Sequence, residues 1–146
     1  MSKRIALALL ILFSSTAVSL AAEPHPLVGT WKKVAGRTSK DGPWQDAAEQ
    51  ITMLKHITGT HVSWAIFQND SKEILAAMGG SVVIDGNKYI ETVEHGLGPI
   101  MNLLGEKQRF TWKIEGNKFT QAGTLSNGVY IEELFERVTP NKKAQQ

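Results

Sequence analysis

The 146-residue chain carries 16 Lys+Arg against 14 Asp+Glu and no cysteine. Without a thiol, a disulfide scaffold, a thiolate metal site, a cysteine nucleophile and a lipid-bearing cysteine are all excluded. The slight positive excess contains no Lys/Arg run, so the electrostatic footprint of a nucleic-acid binder is missing and no nucleic-acid partner is expected.

Lys3 and Arg4 open a stretch, Ile5 to Leu20, that is apolar apart from small hydroxyl residues. Ser19-Leu20-Ala21-Ala22 then supplies the small side chains that signal peptidase reads. Residues 1–22 are therefore expected to be a cleaved signal peptide, and the product to be periplasmic or secreted. The alternative is an uncleaved anchor, but about 16 apolar residues interrupted by Ser14, Ser15 and Thr16 are marginal for a spanning helix. No stable membrane anchor is expected once the signal is gone. Lys3 and Arg4 leave with it and no acid does, so 14 basic and 14 acidic side chains remain. The remaining length, about 124 residues, suits one hydrophobic core over 23–140 with a flexible tail at 141–146, as a monomer or homodimer.

From Leu27-Val28-Gly29-Thr30-Trp31 onward, period-2 alternation recurs in short runs separated by Gly, Asn and Asp, the mark of consecutive antiparallel strands. Eight are expected, near 29–36, 51–57, 60–68, 76–85, 88–95, 106–115, 118–125 and 129–138. The fold class is all-β, a single up-and-down antiparallel barrel, lipocalin-like in plan. Ile84-Asp85-Gly86-Asn87-Lys88-Tyr89 and Ile114-Glu115-Gly116-Asn117-Lys118-Phe119 repeat one hairpin phrase, with an acid and a lysine placed to pair across the strand ends. With Gly59-Thr60, these tight turns fall at one end. The long connections 37–50, 69–75 and 96–105 fall at the other, which makes a cup with a mouth. The apolar connection Gly96 to Gly105 reads either as a short helical turn packed on the rim or as a lid hinged at its glycines. Gly79-Gly80 reads as a bulge in the wall.

Alternation also assigns inward faces. Phe110, Trp112 and Ile114 meet Gly123, Gln121 and Phe119. The same geometry at the earlier hairpin sends Val82, Ile84, Tyr89, Glu91, Val93 and His95 inward. In the third strand the Trp64 face competes with the Phe67 face, and the Trp64 face is preferred. A three-residue loop Ser126-Asn127-Gly128 directs Ile131, Glu133, Phe135 and Arg137 inward, whereas a two-residue loop would reverse this. The candidate ligand-binding residues are then Trp64, Tyr89, Glu91, His95, Trp112, Phe119, Gln121 and Glu133. Two carboxylates in an apolar cup need partners, and Arg137, His95, ordered water or a ligand are the candidates.

With Gly29-Thr30-Trp31 on the first strand and Arg137 near the end of the last, the chain resembles the lipocalin and calycin group. That resemblance implies Arg137 packed over Trp31, with Gly29 as part of the same structural signature. Thr60-His61-Val62-Ser63-Trp64 and Tyr89-Ile90-Glu91-Thr92-Val93-Glu94 further resemble a family of exported bacterial lipocalin-like proteins of largely unassigned function. Phe135 stands where that family's pattern implies a tryptophan.

No nucleophile elbow, phosphate loop, dinucleotide fingerprint or calcium loop occurs, and no cofactor is expected. His56 and His61 flank a tight turn but lack ligand spacing on one face, so no metal is expected. The leading expectation is an exported protein binding a small, largely apolar or aromatic molecule in the barrel interior. The alternative is a cofactor-independent isomerase, cyclase or lyase with Glu91 or His95 as acid/base. A third is a surface-interaction role for the loop Asp41-Gly42-Pro43-Trp44-Gln45.

Overall fold

The computed structural model describes residues 23–139; the expected signal peptide and the tail at 141–146 lie outside the described residues. Within them the strands run β1 (Gly29–Arg37), β2 (Gln45–Asp46), β3 (Ile51–Ile57), β4 (His61–Gln68), β5 (Ile74–Asp85), β6 (Lys88–Leu97), β7 (Lys107–Glu115), β8 (Lys118–Thr124) and β9 (Tyr130–Arg137). A 3₁₀ segment, Gly98–Leu103, joins β6 to β7. The long strands are antiparallel to their neighbours, and β1 pairs with β9 from Trp31↔Arg137 to Arg37↔Glu132. Eight strands thus close an up-and-down barrel without a free edge, and β2 is a two-residue addition to β1.

The turns set the registers. Asp85 faces Lys88 and Glu115 faces Lys118, leaving Gly86-Asn87 and Gly116-Asn117 as two-residue loops. Positive φ falls on the glycine at the first loop position, 56° and 62°, as a type II′ hairpin requires. At the second turn the side chains choose other partners than each other: Glu115 takes Lys113, and Lys118 faces Glu136 on β9. Between β8 and β9, Leu125 N–H donates to Val129 O at 2.8 Å and Gly128 N–H to Leu125 O at 2.9 Å. The loop is Ser126-Asn127-Gly128, so Glu133 and Phe135 point inward.

Gly79-Gly80 does mark a bulge: Gly80 pairs with Val93 but Gly79 pairs with His95, so Glu94 is the extra residue. A Cβ on Gly80 would run into the Thr92 carbonyl, which is why the strand needs glycine there.

The end bearing the tight turns is packed solid. Trp31, Tyr89, Phe119 and Phe135 are fully buried, with ring centroids 5.3 Å apart for Trp31–Phe119 and 5.4 Å for Phe119–Phe135. Arg137 lies 4.1 Å over the Trp31 ring, and its guanidinium donates to Val28 O at 2.9 Å and Pro26 O at 2.6 Å. Trp31 Nε1 donates to Leu27 O at 2.8 Å. One arginine and one indole thus pin the segment before β1 beneath the barrel. Gly29 has φ +144°, and a Cβ there would lie 2.5 Å from Arg137 Nη1, so the close approach requires glycine.

Candidate functional site

Above the aromatic layer the barrel is hollow. The floor of this upper half is built around Lys55. On β3, Met53, Lys55 and Ile57 share the inward face, and Lys55 is in register with Trp64 of β4. Its ammonium donates to Glu91 Oε1 at 2.7 Å and to Gln121 Oε1 at 2.8 Å. Gln121 Nε2 passes the connection to Glu133 Oε2 at 2.9 Å, and Lys33 Nζ meets Glu133 Oε1 at 2.6 Å. Four strands therefore contribute the run Glu91, Lys55, Gln121, Glu133 and a fifth adds Lys33. It extends from the interior, where the Lys55 and Glu91 side chains are 1% and 3% exposed, to Lys33 at 28%.

Lys33 reaches inward because it keeps the parity of Trp31, while the extra residue Val34 shifts the register only beyond it. The Lys55 ammonium also lies 5.3 Å from the Phe135 ring centroid, 5.5 Å from Tyr89 and 6.0 Å from Phe110. A desolvated cation is stabilised by those faces as well as by Glu91.

Over this floor is a cavity of about 330 Å³. Its walls include Met53, Trp64, Ile66, Met78 and Ile131, and its polar groups are Lys55, Glu91, Gln108, Gln121, Asn127 and Glu133. Pro99, Ile100 and Leu103 of the 3₁₀ segment reach over it, Leu103 being buried. The connection 96–105 is thus a helical turn packed on the rim. A second hollow of about 270 Å³, between β1, β9 and the connection that carries β2, shares Met53, Ile66, Ile131 and Glu133 with the first. Lys33 and Glu133 meet at that partition.

The residues expected to surround a ligand divide between four places. Trp64, Glu91, Gln121 and Glu133 line the cavity. Tyr89 and Phe119 lie in the aromatic layer below it, fully buried. Trp112 does not face the cavity: it is at the packed end, donates from Nε1 to Gly86 O at 3.0 Å and meets His25 edge-on at 5.3 Å. His95 is outside the barrel, because Glu94 is the extra residue of the bulge and the inward alternation stops at Val93. The ring of His95 lies against Gly79 on the outer wall. Of the two acid/base candidates, only Glu91 meets the cavity.

The partners expected for the carboxylates are also corrected. Arg137 serves Trp31 and the N-terminal arm, and the cations that meet Glu91 and Glu133 are Lys55 and Lys33. Alternation did place both lysines on inward faces, flanked by Trp31 and by Met53 and Ile57. Lysine is so seldom buried that alternation by itself does not single out either residue, nor does it single out Gln108, whose Oε1 accepts from Ser126 N–H at 2.8 Å and whose Nε2 donates to Ser126 Oγ at 3.0 Å.

Tyr89 is the one buried side-chain polar atom without a hydrogen-bond partner among the described residues. Burial pushes its phenol well above the usual tyrosine range, and the neighbouring Glu91 charge adds to this, so the hydroxyl stays neutral. On the outer wall, His56 Nδ1 is 3.0 Å from Thr30 Oγ1 and His61 Nδ1 is 2.8 Å from Thr60 Oγ1. Among the described residues no group of three or more His, Asp or Glu side chains is placed to hold a metal ion. Trp44 lies over Arg37 at 5.1 Å, and Arg37 pairs with Glu132 at 2.6 Å.

No family model matches the chain, and no curated protein matches it. Solved structures do. An uncharacterised protein from Bacteroides eggerthii superposes with a TM-score of 0.54 at 12% identity, over 76% of this chain and 98% of that one. A redesigned β-barrel gives a TM-score of 0.48 at 15% identity, over 77% and 92%. The fluorescent protein UnaG gives 0.42 at 14% identity, over 78% and 97%. At such identities the likeness concerns the fold alone: the chain is a closed up-and-down antiparallel β-barrel, similar in fold to the Bacteroides eggerthii protein.

Proposed function

We propose that this chain is an exported carrier, which holds a small, largely apolar molecule in the upper half of its barrel with the polar end against Lys55, Glu91 and Gln121. The observation that carries this reading is the cavity of about 330 Å³, apolar on its walls and polar on its floor. A few convergent hydrogen-bonding groups within an apolar concavity are the usual composition of a small-molecule site. The packed lower half supports it too, since a rigid aromatic base fixes the floor in place. Glu91 is ion-paired to Lys55, which favours binding over proton abstraction, because protonating Glu91 would leave the buried Lys55 ammonium without its counter-charge. Export rests on the signal-like character of residues 1–22.

Native mass spectrometry of the protein purified from its own cell envelope tests this reading. The expected result is an extra mass that is lost on denaturation and lost in Ala76→Trp, which fills the cavity. The same mass should be retained in Trp112→Ala, whose indole lies at the packed end. An empty protein in every preparation, with no uptake of added apolar compounds, would remove the carrier reading.

A further inference from the structure

The charges around the floor add up in a way that specifies the ligand's head group. Two cations, Lys33 and Lys55, are matched by two anions, Glu91 and Glu133, each in contact with its partner at 2.6–2.7 Å. Among the described residues no cationic side chain that lines the cavity is left over to receive an anion. A ligand carboxylate would have to displace Glu91 from Lys55 or be buried beside two carboxylates, and either course leaves an uncompensated charge in a desolvated site. A ligand ammonium meets the converse problem with Lys55.

Hydrogen-bonding capacity, in contrast, is left over. An ammonium has three N–H groups, and Lys55 commits two, to Glu91 and Gln121. Gln121 donates one amide hydrogen to Glu133, and Gln108 donates one to Ser126, so each retains a second. Glu91 uses Oε1 for Lys55, and its Oε2 receives no hydrogen bond from the described residues. All four side chains line the cavity. The floor therefore offers several donors and one strong acceptor at zero net charge.

We propose, building on the carrier reading above, that the cavity selects an uncharged head group that both accepts and donates hydrogen bonds, of the carboxamide or lactam kind, borne on an apolar body, and rejects carboxylates and ammonium ions of the same shape. A carbonyl oxygen takes the spare N–H groups, and an amide N–H meets Glu91 Oε2. Neither ion pair needs to open. Charge balance thus serves specificity, since an imperfectly paired charge is what excludes the wrong ligand.

The experiment compares three probes with one chain, decanamide, decanoate and decylammonium, titrated at pH 7 into the intact protein by calorimetry. Decanamide is expected to bind at least about tenfold more tightly than either ion, since stranding a buried charge costs more than the ~1.4 kcal/mol that a factor of ten represents. Glu91→Gln leaves the floor with a surplus cation, so decanoate should gain about tenfold relative to decanamide in that variant. Equal affinities, or decanoate tightest in the unmodified protein, would overturn the charge-balance argument while leaving the carrier reading intact. Binding of none of the three would overturn both. The comparison in the unmodified protein decides the matter even if Glu91→Gln does not fold.

Discussion

Lys55 Nζ lies 2.7 Å from Glu91 Oε1 in a barrel interior where both side chains are almost wholly hidden from solvent. Such a pair is costly to bury and costlier to break. Lys55→Met should destabilise the fold by about 3–5 kcal/mol, because Glu91 is left without its counter-charge. The double variant Lys55→Met/Glu91→Gln should recover much of that loss. Urea denaturation of the four proteins in the cycle measures the coupling; additive effects would mean that the two residues do not stabilise each other.

At the packed end, Arg137 holds two backbone carbonyls, those of Val28 and Pro26, while lying over Trp31. A lysine has one point charge and no planar fork. Arg137→Lys is expected to cost about 1–3 kcal/mol and to release the arm before Gly29. Limited proteolysis should then cut within 23–28 faster than in the parent protein, and an unchanged rate would show that the arm is held by Trp31 and Leu27 alone.

How far the sequence foretold this arrangement depended on local against long-range rules. The two Gly-Asn hairpins follow from turn chemistry, which is local, whereas alternation leaves two inward faces open for β4 and two loop lengths open before β9; the structure takes the Trp64 face and the Ser126-Asn127-Gly128 loop. Unbroken alternation through β6 predicts His95 on the inward face, and the Gly79-Gly80 signal marks a bulge without saying which strand carries the extra residue. A bulge places its extra residue on one strand of a pair, here Glu94 on β6, and so reverses the parity beyond it. Lys55 is a different case. Alternation with Met53 and Ile57 puts it on the inward face of β3, but the groups that make its burial possible, Glu91 and Gln121, lie on β6 and β8. Two inward carboxylates require two cations, and the inward positions of β1 and β3 hold them, Lys33 and Lys55.

Tyr89 yields a pH prediction. Its phenol is held above the ordinary value by burial first and by Glu91 second. Folded Tyr89 keeps its proton where the unfolded chain would lose it, so its contribution is fully present below about pH 10, the unfolded value, and is lost as pH rises beyond that. Tyr89→Phe removes both this linkage and a buried hydroxyl with no partner. It should be neutral or stabilising by about 1 kcal/mol at pH 7 and lose less stability between pH 9 and about pH 11. Denaturant midpoints across that range provide the check, and a large loss at pH 7 would mean that the hydroxyl is hydrogen-bonded after all.

The last prediction separates the needs of the fold from those of binding. Ala76 faces the cavity on β5, in register with Ile66, which lines it too. Residues chosen for stability alone would fill this space, because unoccupied volume forfeits dispersion contacts and buried apolar area. Ala76→Leu places about three further carbons in room that already exists, and so avoids the overlap that usually makes enlarged core residues unfavourable. The variant should gain about 1–2 kcal/mol and lose affinity for any molecule held in the barrel. If stability rises and ligand uptake falls together, the hollow is maintained at the expense of stability, as expected of a binding site. If stability rises and uptake is unchanged, the ligand is held elsewhere, and the second hollow beside Lys33 and Glu132 becomes the place to look.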